Sequence, residues 1–245
     1  YLLVANYASG NVNMYPIEAS GALAPMSDVH HHSGSGPNKE RQEMPHPHCI
    51  MQDAANRYVF APDLGTDQIV AYRLDPDQHK LIPHDTIDSP AGSGPRHIAF
   101  HPNGRFAYVI NELDATVHVL RYDAAAGKMT TVEIVPSLPA GFTGENTAAE
   151  ILPTADGRFL YVSNRGHDSI ATFAINADDG TLTLNGHVSS GGRNPRNFNL
   201  APDDRFLLCA NQDSDNIVVF RIDEATGLPV PTGQVYEASE VVCIR

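Results

Sequence analysis

Arg105-Phe-Ala-Tyr-Val-Ile-Asn111 is one copy of a motif that recurs along this chain of 245 residues. Three further copies begin at an arginine, at positions 57, 158 and 205, and Tyr1-Leu-Leu-Val-Ala-Asn6 is a shorter copy without it. The arginines are spaced 48, 53 and 47 residues apart. Self-similarity at a period near 50 residues is typical of an array of repeated structural units. The other full copies are Arg57-Tyr-Val-Phe-Ala-Pro-Asp63, Arg158-Phe-Leu-Tyr-Val-Ser-Asn164 and Arg205-Phe-Leu-Leu-Cys-Ala-Asn211.

Each motif lies within a series of short strands joined by tight turns. In the unit of Arg105, His97-Ile-Ala-Phe100 precedes the motif, Thr116-Val-His-Val-Leu-Arg-Tyr122 follows it, and a turn closes the series at 123–127. No segment has a 3.6-residue apolar period long enough for a helix. Strands at even spacing that repeat radially are the pattern of a β-propeller, whose blades are four-stranded meanders. We name the strands of one blade A to D, so that the arginine motif is strand B.

The repeats predict about five blades in a single domain. Residues 1–40 supply strands B, C and D of one blade, and complete blades follow at approximately 46–93, 95–145, 147–193 and 195–239. Residues 240–245 resemble strand A of the second blade, which gives twenty strands in total. Because the chain begins with Tyr1 inside an apolar strand pattern, we expect a chain truncated at its N-terminus.

Charge and composition exclude several classes of protein. Asp and Glu number 29 against 16 Lys and Arg, so the formal net charge is −13. Nucleic-acid and anionic-membrane surfaces need clustered positive charge, so neither partner is expected. No apolar run approaches the ~18 residues of a membrane span, and no signal peptide opens the chain, which predicts a cytoplasmic protein. The three cysteines, Cys49, Cys209 and Cys243, are expected to be buried apolar side chains in a reducing compartment.

Meander geometry predicts where a site lies. The loops that enter strand A and those that leave strand B share one rim of the propeller, and the uniform A-to-B turns lie on the other rim. The first rim varies between units and gathers polar side chains near the axis. Its arginines supply the local positive cluster that an acidic protein needs for an anionic substrate. The residues singled out are His46, His48, Arg96, His97, Glu112, Glu150, Arg165 and Arg196.

Structural roles compete with functional ones at several positions. The repeated Arg57, Arg105, Arg158 and Arg205 are expected to be structural, His48 could be a structural hydrogen bonder, and Glu112 could be only an ion-pair partner. His30-His31-His32 is expected in a long rim loop, and no metal site is predicted because no carboxylate spacing accompanies these histidines. Ser33-Gly-Ser-Gly36 lacks the lysine and helix of a phosphate loop. No G-x-S-x-G elbow is present, which excludes an acyl-enzyme serine.

Several rim motifs resemble the propeller-type 6-phosphogluconolactonases, the lactonase family that also contains the fungal carboxy-muconate lactonising enzymes. The motifs are Gly34-Ser-Gly-Pro37, Pro45-His-Pro-His48, Gly92-Ser-Gly-Pro-Arg-His97, Asn111-Glu-Leu-Asp114, Gly141-Phe-Thr-Gly-Glu-Asn-Thr-Ala-Ala-Glu150, Ser163-Asn-Arg-Gly-His-Asp168 and Asn211-Gln-Asp-Ser-Asp215. The resemblance extends over essentially the whole chain. It implies an all-β, seven-bladed propeller of 28 strands, of which two blades would be missing here, and an enzyme that needs no metal or organic cofactor.

The resemblance also implies roles for the rim residues. A His, a Glu and two Arg are proposed to act in the muconate enzymes, and the matching residues here are His48, Glu112, Arg96 and Arg165 as catalytic candidates. His46, His97, Glu150 and Arg196 are the substrate-binding candidates. The expected reaction is the hydrolysis of 6-phospho-D-glucono-1,5-lactone in the pentose phosphate pathway, with arginines binding this small anionic lactone. Either Glu112 or His48 takes the proton of the attacking water, and the other protonates the ring oxygen.

Two alternatives stay open from the sequence. A muconate-type lactonising enzyme or cycloisomerase would use the same rim residues on a tricarboxylate, and direct assays of lactone hydrolysis and muconate cyclisation distinguish the two. A non-catalytic propeller scaffold would carry exposed aromatic or apolar rim residues for a protein partner. The motif loops are polar and charged, and the chain contains no Trp.

Overall fold

The computed structural model describes residues 1–245 as five antiparallel sheets, one of three strands and four of four strands. The only helical element is a single 3₁₀ turn at Gln212–Ser214. The chain is therefore all-β, as the repeats predict, and it contains no helix with the length and apolar character of a membrane span.

The strands are β1 (Leu2–Asn6), β2 (Asn11–Tyr15), β3 (Asp28–His31), β4 (Met51–Gln52), β5 (Tyr58–Asp63), β6 (Gln68–Asp75), β7 (Lys80–Asp88), β8 (Pro95–Phe100), β9 (Phe106–Asn111), β10 (Thr116–Asp123), β11 (Lys128–Pro136), β12 (Thr147–Pro153), β13 (Phe159–Arg165), β14 (Ser169–Ile175), β15 (Leu182–Ser189), β16 (Pro195–Leu200), β17 (Phe206–Asn211), β18 (Asn216–Ile222) and β19 (Pro229–Glu237).

Each four-stranded sheet is a meander in chain order, so that every strand pairs with its neighbours in sequence. We number the blades 1 to 5, with β1–β3 as blade 1. Strand B of blade 3, β9, is buried at all six positions, because other blades cover both faces of its sheet. A strand buried on both faces has a continuous apolar sequence instead of an alternating one. The outer strand β11 alternates more and is largely exposed.

Three of the four repeated arginines join their blade to the next one, whereas Arg205 bonds to Asp203 of its own blade. Arg105 Nη2 donates to the carbonyl oxygens of Ala177 (2.5 Å) and Asp178 (2.9 Å), in the turn between strands C and D of blade 4. Arg57 and Arg158 make the corresponding contacts with Ala124 and Glu224. These three arginines thus occupy equivalent places and hold neighbouring blades together.

A glycine in the same turn permits this close packing. A Cβ at Gly180 would lie 2.5 Å from the Phe106 ring, and its φ of +81° also favours glycine.

Some local expectations are wrong. Residues 240–245 form no strand, because their backbone bonds to side chains and not to a strand edge: Ile244 N donates to Asn197 Oδ1, Asn199 Nδ2 donates to Ile244 O, and Glu240 N donates to Asp215 Oδ1. Cys243 in this segment is exposed, whereas Cys209 is buried and Cys49 is partly buried, all three as free thiols.

The histidine run and the first A strand also differ from expectation. His30 and His31 lie in strand β3 and not in a loop, because Val12 and Asn11 of β2 pair with them. Strand A of blade 2 is reduced to β4, with an isolated bridge between Pro47 and Asp63 further towards the rim.

Candidate active site

A polar recess of about 520 Å³ opens on the rim where B strands end and A strands begin. All five blades and the connection between blades 1 and 2 contribute side chains to it. Its wall contains three arginines, one carboxylate, one histidine, one threonine and one tyrosine. The lining residues are Tyr7, Arg41, His48, Glu112, Thr147, Arg165 and Arg196.

The repeat itself places three of these side chains. Tyr7, Glu112 and Arg165 directly follow Asn6, Asn111 and Asn164, the last residues of their B-strand motifs, and so occupy the same position in three blades. The backbone of Glu112 is fixed on two sides. Its N–H donates to Gly94 O at 2.7 Å, and its carbonyl accepts from Ala148 N of the next blade at 3.0 Å.

Two other arginines are placed by β-bulges at the start of their A strands. Pro95 pairs with Asn111 and His97 with Ile110, so Arg96 is an extra residue between them. Arg196 is the extra residue between Pro195 and Asn197 in the same way. A bulge redirects a side chain relative to the regular alternation of a strand.

Glu112 is the centre of an arginine cluster. Its Oε2 lies 3.1 Å from Arg165 Nη2 and 3.0 Å from Arg96 Nε, although the Arg96 N–H is not aligned as a hydrogen bond. Its Oε1 accepts from Arg41 Nη2 at 2.5 Å. Burial by itself raises the pKa of Glu112, but Arg165, Arg96 and Arg41 outweigh it and hold the pKa below the ordinary value. Glu112 is therefore a carboxylate at neutral pH.

His48 lies between the rings of Tyr7 and His97, with centroid distances of 5.5 and 5.0 Å. Its Nδ1 is buried and has no hydrogen-bond partner in the protein. Burial lowers the pKa of His48 well below its ordinary value, and the positive charges of Arg96 and Arg196 lower it further. The imidazole is therefore neutral in the free protein.

The four catalytic candidates thus come together in one place. Arg165 also donates from Nη2 to Ala148 O at 3.0 Å and from Nε to Thr147 O at 3.3 Å, which fixes its plane. Arg96 does not line the recess. Its side chain is only 3% exposed, and Nη1 donates to Ala149 O at 2.7 Å. Arg96 therefore contacts Glu112 on the side that faces away from the recess.

Among the substrate-binding candidates, Arg196 lines the recess, whereas His46, His97 and Glu150 lie behind it. His97 Nε2 accepts from Arg96 Nη1 at 3.1 Å, and its Nδ1 therefore carries the proton that it donates to Glu150 Oε1 at 2.8 Å. Burial lowers the pKa of His97, in agreement with this neutral form. Glu150 also accepts from Asn197 Nδ2.

His46 supports the recess from another side. It stacks on Tyr7 at 4.3 Å, and its Nδ1 lies 2.9 Å from Tyr7 O.

Sequence reasoning misses three residues of the wall, Tyr7, Arg41 and Thr147. Tyr7 could have been found, because it occupies the repeat position of Glu112 and Arg165. Arg41 belongs to the connection between blades 1 and 2, whose length has no counterpart in the other units, so no repeat signal points to it. No three His, Cys, Asp or Glu side chains lie together as metal ligands would.

Comparisons with known proteins agree with this architecture. The model of a lactonase family, described as a 7-bladed β-propeller, matches residues 1–245. A Bacillus subtilis protein named 6-phosphogluconolactonase is 38% identical over 252 residues, covering 100% of this chain and 69% of its own length.

Solved structures are similar as well. The Pseudomonas aeruginosa periplasmic gluconolactonase is 38% identical with a TM-score of 0.91, covering 98% of this chain and 68% of its own. A Lactobacillus plantarum protein is 37% identical with a TM-score of 0.93, covering 98% and 69%.

Proposed function

Because the chain belongs to the lactonase family of seven-bladed β-propellers, we propose that it hydrolyses the ring ester of a sugar lactone that carries an anionic group. The specific reaction proposed is the conversion of 6-phospho-D-glucono-1,5-lactone to 6-phosphogluconate. The relatives named 6-phosphogluconolactonase and gluconolactonase support this reaction class. The observation that carries the proposal is the recess itself, in which a neutral, unpartnered histidine faces a cluster of arginines.

The charge of the recess favours an anionic ligand. Arg41, Arg96, Arg165 and Arg196 surround one carboxylate, Glu112, so the local charge is positive although the chain as a whole has a net charge of −13. Arg196 makes no hydrogen bond or ion pair within the protein, which leaves its guanidinium free for a ligand. The recess is partly closed to water, where the attraction between an arginine and a phosphate is less screened than at an open surface.

The structure favours His48 over Glu112 as the base. Both oxygens of Glu112 are already engaged by arginines, and its protonation would break those ion pairs. His48 is neutral and lines the recess; its Nδ1 is buried, and its Nε2, which forms no hydrogen bond with the protein, is the nitrogen assigned to the base. An anionic substrate also offsets the positive charges of Arg96 and Arg196, which lower the pKa of His48 in the free protein. Substrate binding therefore makes His48 a better proton acceptor.

The chemical steps follow from these positions. Water attacks the lactone carbonyl carbon and gives its proton to His48, and the carbonyl oxygen becomes an oxyanion. The tetrahedral intermediate then breaks the bond between this carbon and the ring oxygen. The ring oxygen takes the proton from His48 and leaves as a hydroxyl. A positioned acid-base group of this kind contributes about 10²- to 10⁴-fold.

The arginines divide into two groups under this proposal. Arg165 and Arg196 line the recess and stabilise the oxyanion and the anionic substituent by preorganised hydrogen bonds. Arg96 is a positioning residue that holds Glu112 and, with His97 and Glu150, keeps the wall behind His48 rigid. Glu112 in turn fixes the plane of Arg165.

The test is a direct assay of the purified chain with 6-phosphogluconolactone, with the spontaneous rate subtracted and carboxy-muconate cyclisation measured in parallel. We expect lactone hydrolysis, its loss by about 10²-fold or more in His48→Gln, and no change in His84→Gln, an exposed histidine on an outer strand. No acceleration over the spontaneous rate, or activity only on the muconate, would overturn the proposal.

A further inference from the structure

Arg41 reaches the recess from a part of the chain that the repeat does not include. It lies in the connection between β3 and β4, and its guanidinium bonds to Glu112, 71 positions later, at 2.5 Å. The connections that follow blades 2, 3 and 4 are shorter, at 89–94, 137–146 and 190–194, against 32–50 here. The contact is therefore specific to this connection and not a feature of the propeller repeat.

The segment that carries Arg41 is held firmly. The adjacent Gln42 is fully buried, and its Nε2 donates to Leu64 O at 2.8 Å and to Asp67 Oδ1 at 2.7 Å. The backbone of blade 2 also approaches the segment closely, since a Cβ at Gly65 would lie 1.9 Å from Met44 O. The backbone at Arg41 is thus anchored, while its side chain projects to the rim.

Arg41 is the third arginine that contacts the Glu112 carboxylate, and the other two are enough to keep this buried charge paired. Glu112 Oε2 already lies within 3.1 Å of both Arg96 and Arg165, and only Oε1 is engaged by Arg41. The side chain of Arg41 is 38% exposed, against 3% for Arg96 and 11% for Arg165. Arg41 can therefore leave Glu112 without leaving a buried carboxylate unpaired, which would be strongly unfavourable.

Arg41 also lies at the boundary between two spaces. With Thr147 and Arg165 it lines both the recess and an adjoining outer groove of about 730 Å³. The outer groove contains four carboxylates and, besides Arg41 and Arg165, one further arginine, Arg193, so an anion is attracted less strongly there than in the recess, where three arginines face one carboxylate. These carboxylates are Glu40, Glu145, Asp168 and Asp213.

We propose that Arg41 is the residue that selects phosphorylated over neutral lactones, by exchanging its bond to Glu112 for a bond to the substrate's phosphate. This inference rests on the proposed function and adds a specificity residue to the same site. Glu112 stays paired with Arg96 and Arg165 throughout, so the chemistry at His48 does not depend on Arg41. A phosphate dianion offers Arg41 a stronger partner than a carboxylate oxygen shared with two other arginines.

The experiment compares Arg41→Ala and Arg41→Lys with the unaltered chain on 6-phosphogluconolactone and on glucono-1,5-lactone. We expect kcat/KM for the phosphorylated lactone to fall about 10- to 100-fold in Arg41→Ala, as for loss of one charged hydrogen bond, and to recover in part in Arg41→Lys. The value for the neutral lactone should change less than about threefold. Lys39→Ala is the matched control, because it removes an exposed cation from the same segment outside the recess.

Binding of the acids, 6-phosphogluconate and gluconate, measured by titration calorimetry, gives a second readout that needs no turnover. Arg41→Ala should weaken only the phosphorylated acid. If the unaltered chain hydrolyses neither lactone, the proposed function fails, while the calorimetry still decides the role of Arg41. Equal losses on both lactones or both acids, or no loss on either, would overturn the inference.

Discussion

Arg96 and Arg196 occupy the same position in blades 3 and 5, as the extra residue of a β-bulge at the start of strand A, yet their surroundings are opposite. Arg96 is almost fully buried and bonds to Ala149 O and His97, beside Glu112. Arg196 lines the recess and has no partner in the protein. One repeat position thus supplies a positioning residue in one blade and a free guanidinium in another.

This difference predicts that the same substitution, arginine to glutamine, lowers stability at position 96 and activity at position 196. Arg96→Gln removes one partner of a buried ion pair, so we expect a loss of about 3 kcal/mol or more in the free energy of unfolding. Arg196→Gln should leave that free energy within about 0.5 kcal/mol and lower kcat/KM about 10²-fold. Urea denaturation and kinetics on the folded variants measure both effects. Normal turnover in a folded Arg196→Gln would show that Arg196 does not contact the substrate.

The sequence predicts the blades and the rim, because both follow from strand alternation and meander topology. It does not predict which side chains face the recess. A one-residue bulge reverses the side to which the following side chains point, and nothing in Pro95-Arg96-His97 reveals it. The sequence predicts His46, His97 and Glu150 at the substrate, but they lie behind the wall, whereas His48, Glu112, Arg165 and Arg196 line the recess.

Arg165→Lys tests whether geometry or charge alone is needed at the recess. Arg165 contacts Glu112 and the carbonyl oxygens of Thr147 and Ala148 with two of its nitrogens. A lysine keeps the charge but offers one nitrogen and no planar fork. We expect kcat/KM to fall about 10²-fold, measured at matched folded fraction.

Arg105→Ala is the structural counterpart of that substitution on the opposite side of the blade. Arg105 stacks over Phe106 and donates to Ala177 O and Asp178 O of the next blade, at an exposed position. Its loss should lower the free energy of unfolding by about 1–2 kcal/mol and leave turnover per folded molecule unchanged. If folded Arg105→Ala is inactive while Arg165→Lys keeps normal turnover, the active site lies on the rim of Arg105 and not on that of Arg165.

Glu112 predicts how stability depends on pH. Its pKa in the folded protein is lowered by Arg165, Arg96 and Arg41, against burial, from an ordinary 4.5. As the pH falls below about 4.5, the unfolded state takes up this proton before the folded state, so the stabilisation present above that pH is lost. Urea denaturation from pH 6 to 3.5 should show a steeper loss of stability in the unaltered chain than in Glu112→Gln. Parallel curves would show that Glu112 does not contribute to acid unfolding.

The protonation state of His48 predicts the pH dependence of catalysis. The kcat/KM profile reports groups of the free enzyme. An ordinary histidine base, with a pKa of 6.5, would lose activity as the pH falls through 6.5. In the free protein, burial and the charges of Arg96 and Arg196 lower the pKa of His48 far below that value. His48 therefore stays a neutral base in mildly acidic solution.

We accordingly expect kcat/KM for glucono-1,5-lactone to change less than about twofold between pH 7.5 and 5.5. The neutral lactone is the right substrate here, because a phosphate group has its own pKa near 6 and would add a second titration. The spontaneous hydrolysis rate is subtracted at each pH, and the enzymatic rate of His48→Gln should be lower by about 10²-fold or more at each of them. A fall of about tenfold centred near pH 6.5 would mean that His48 titrates as an exposed histidine does, and that the arginines do not hold it neutral.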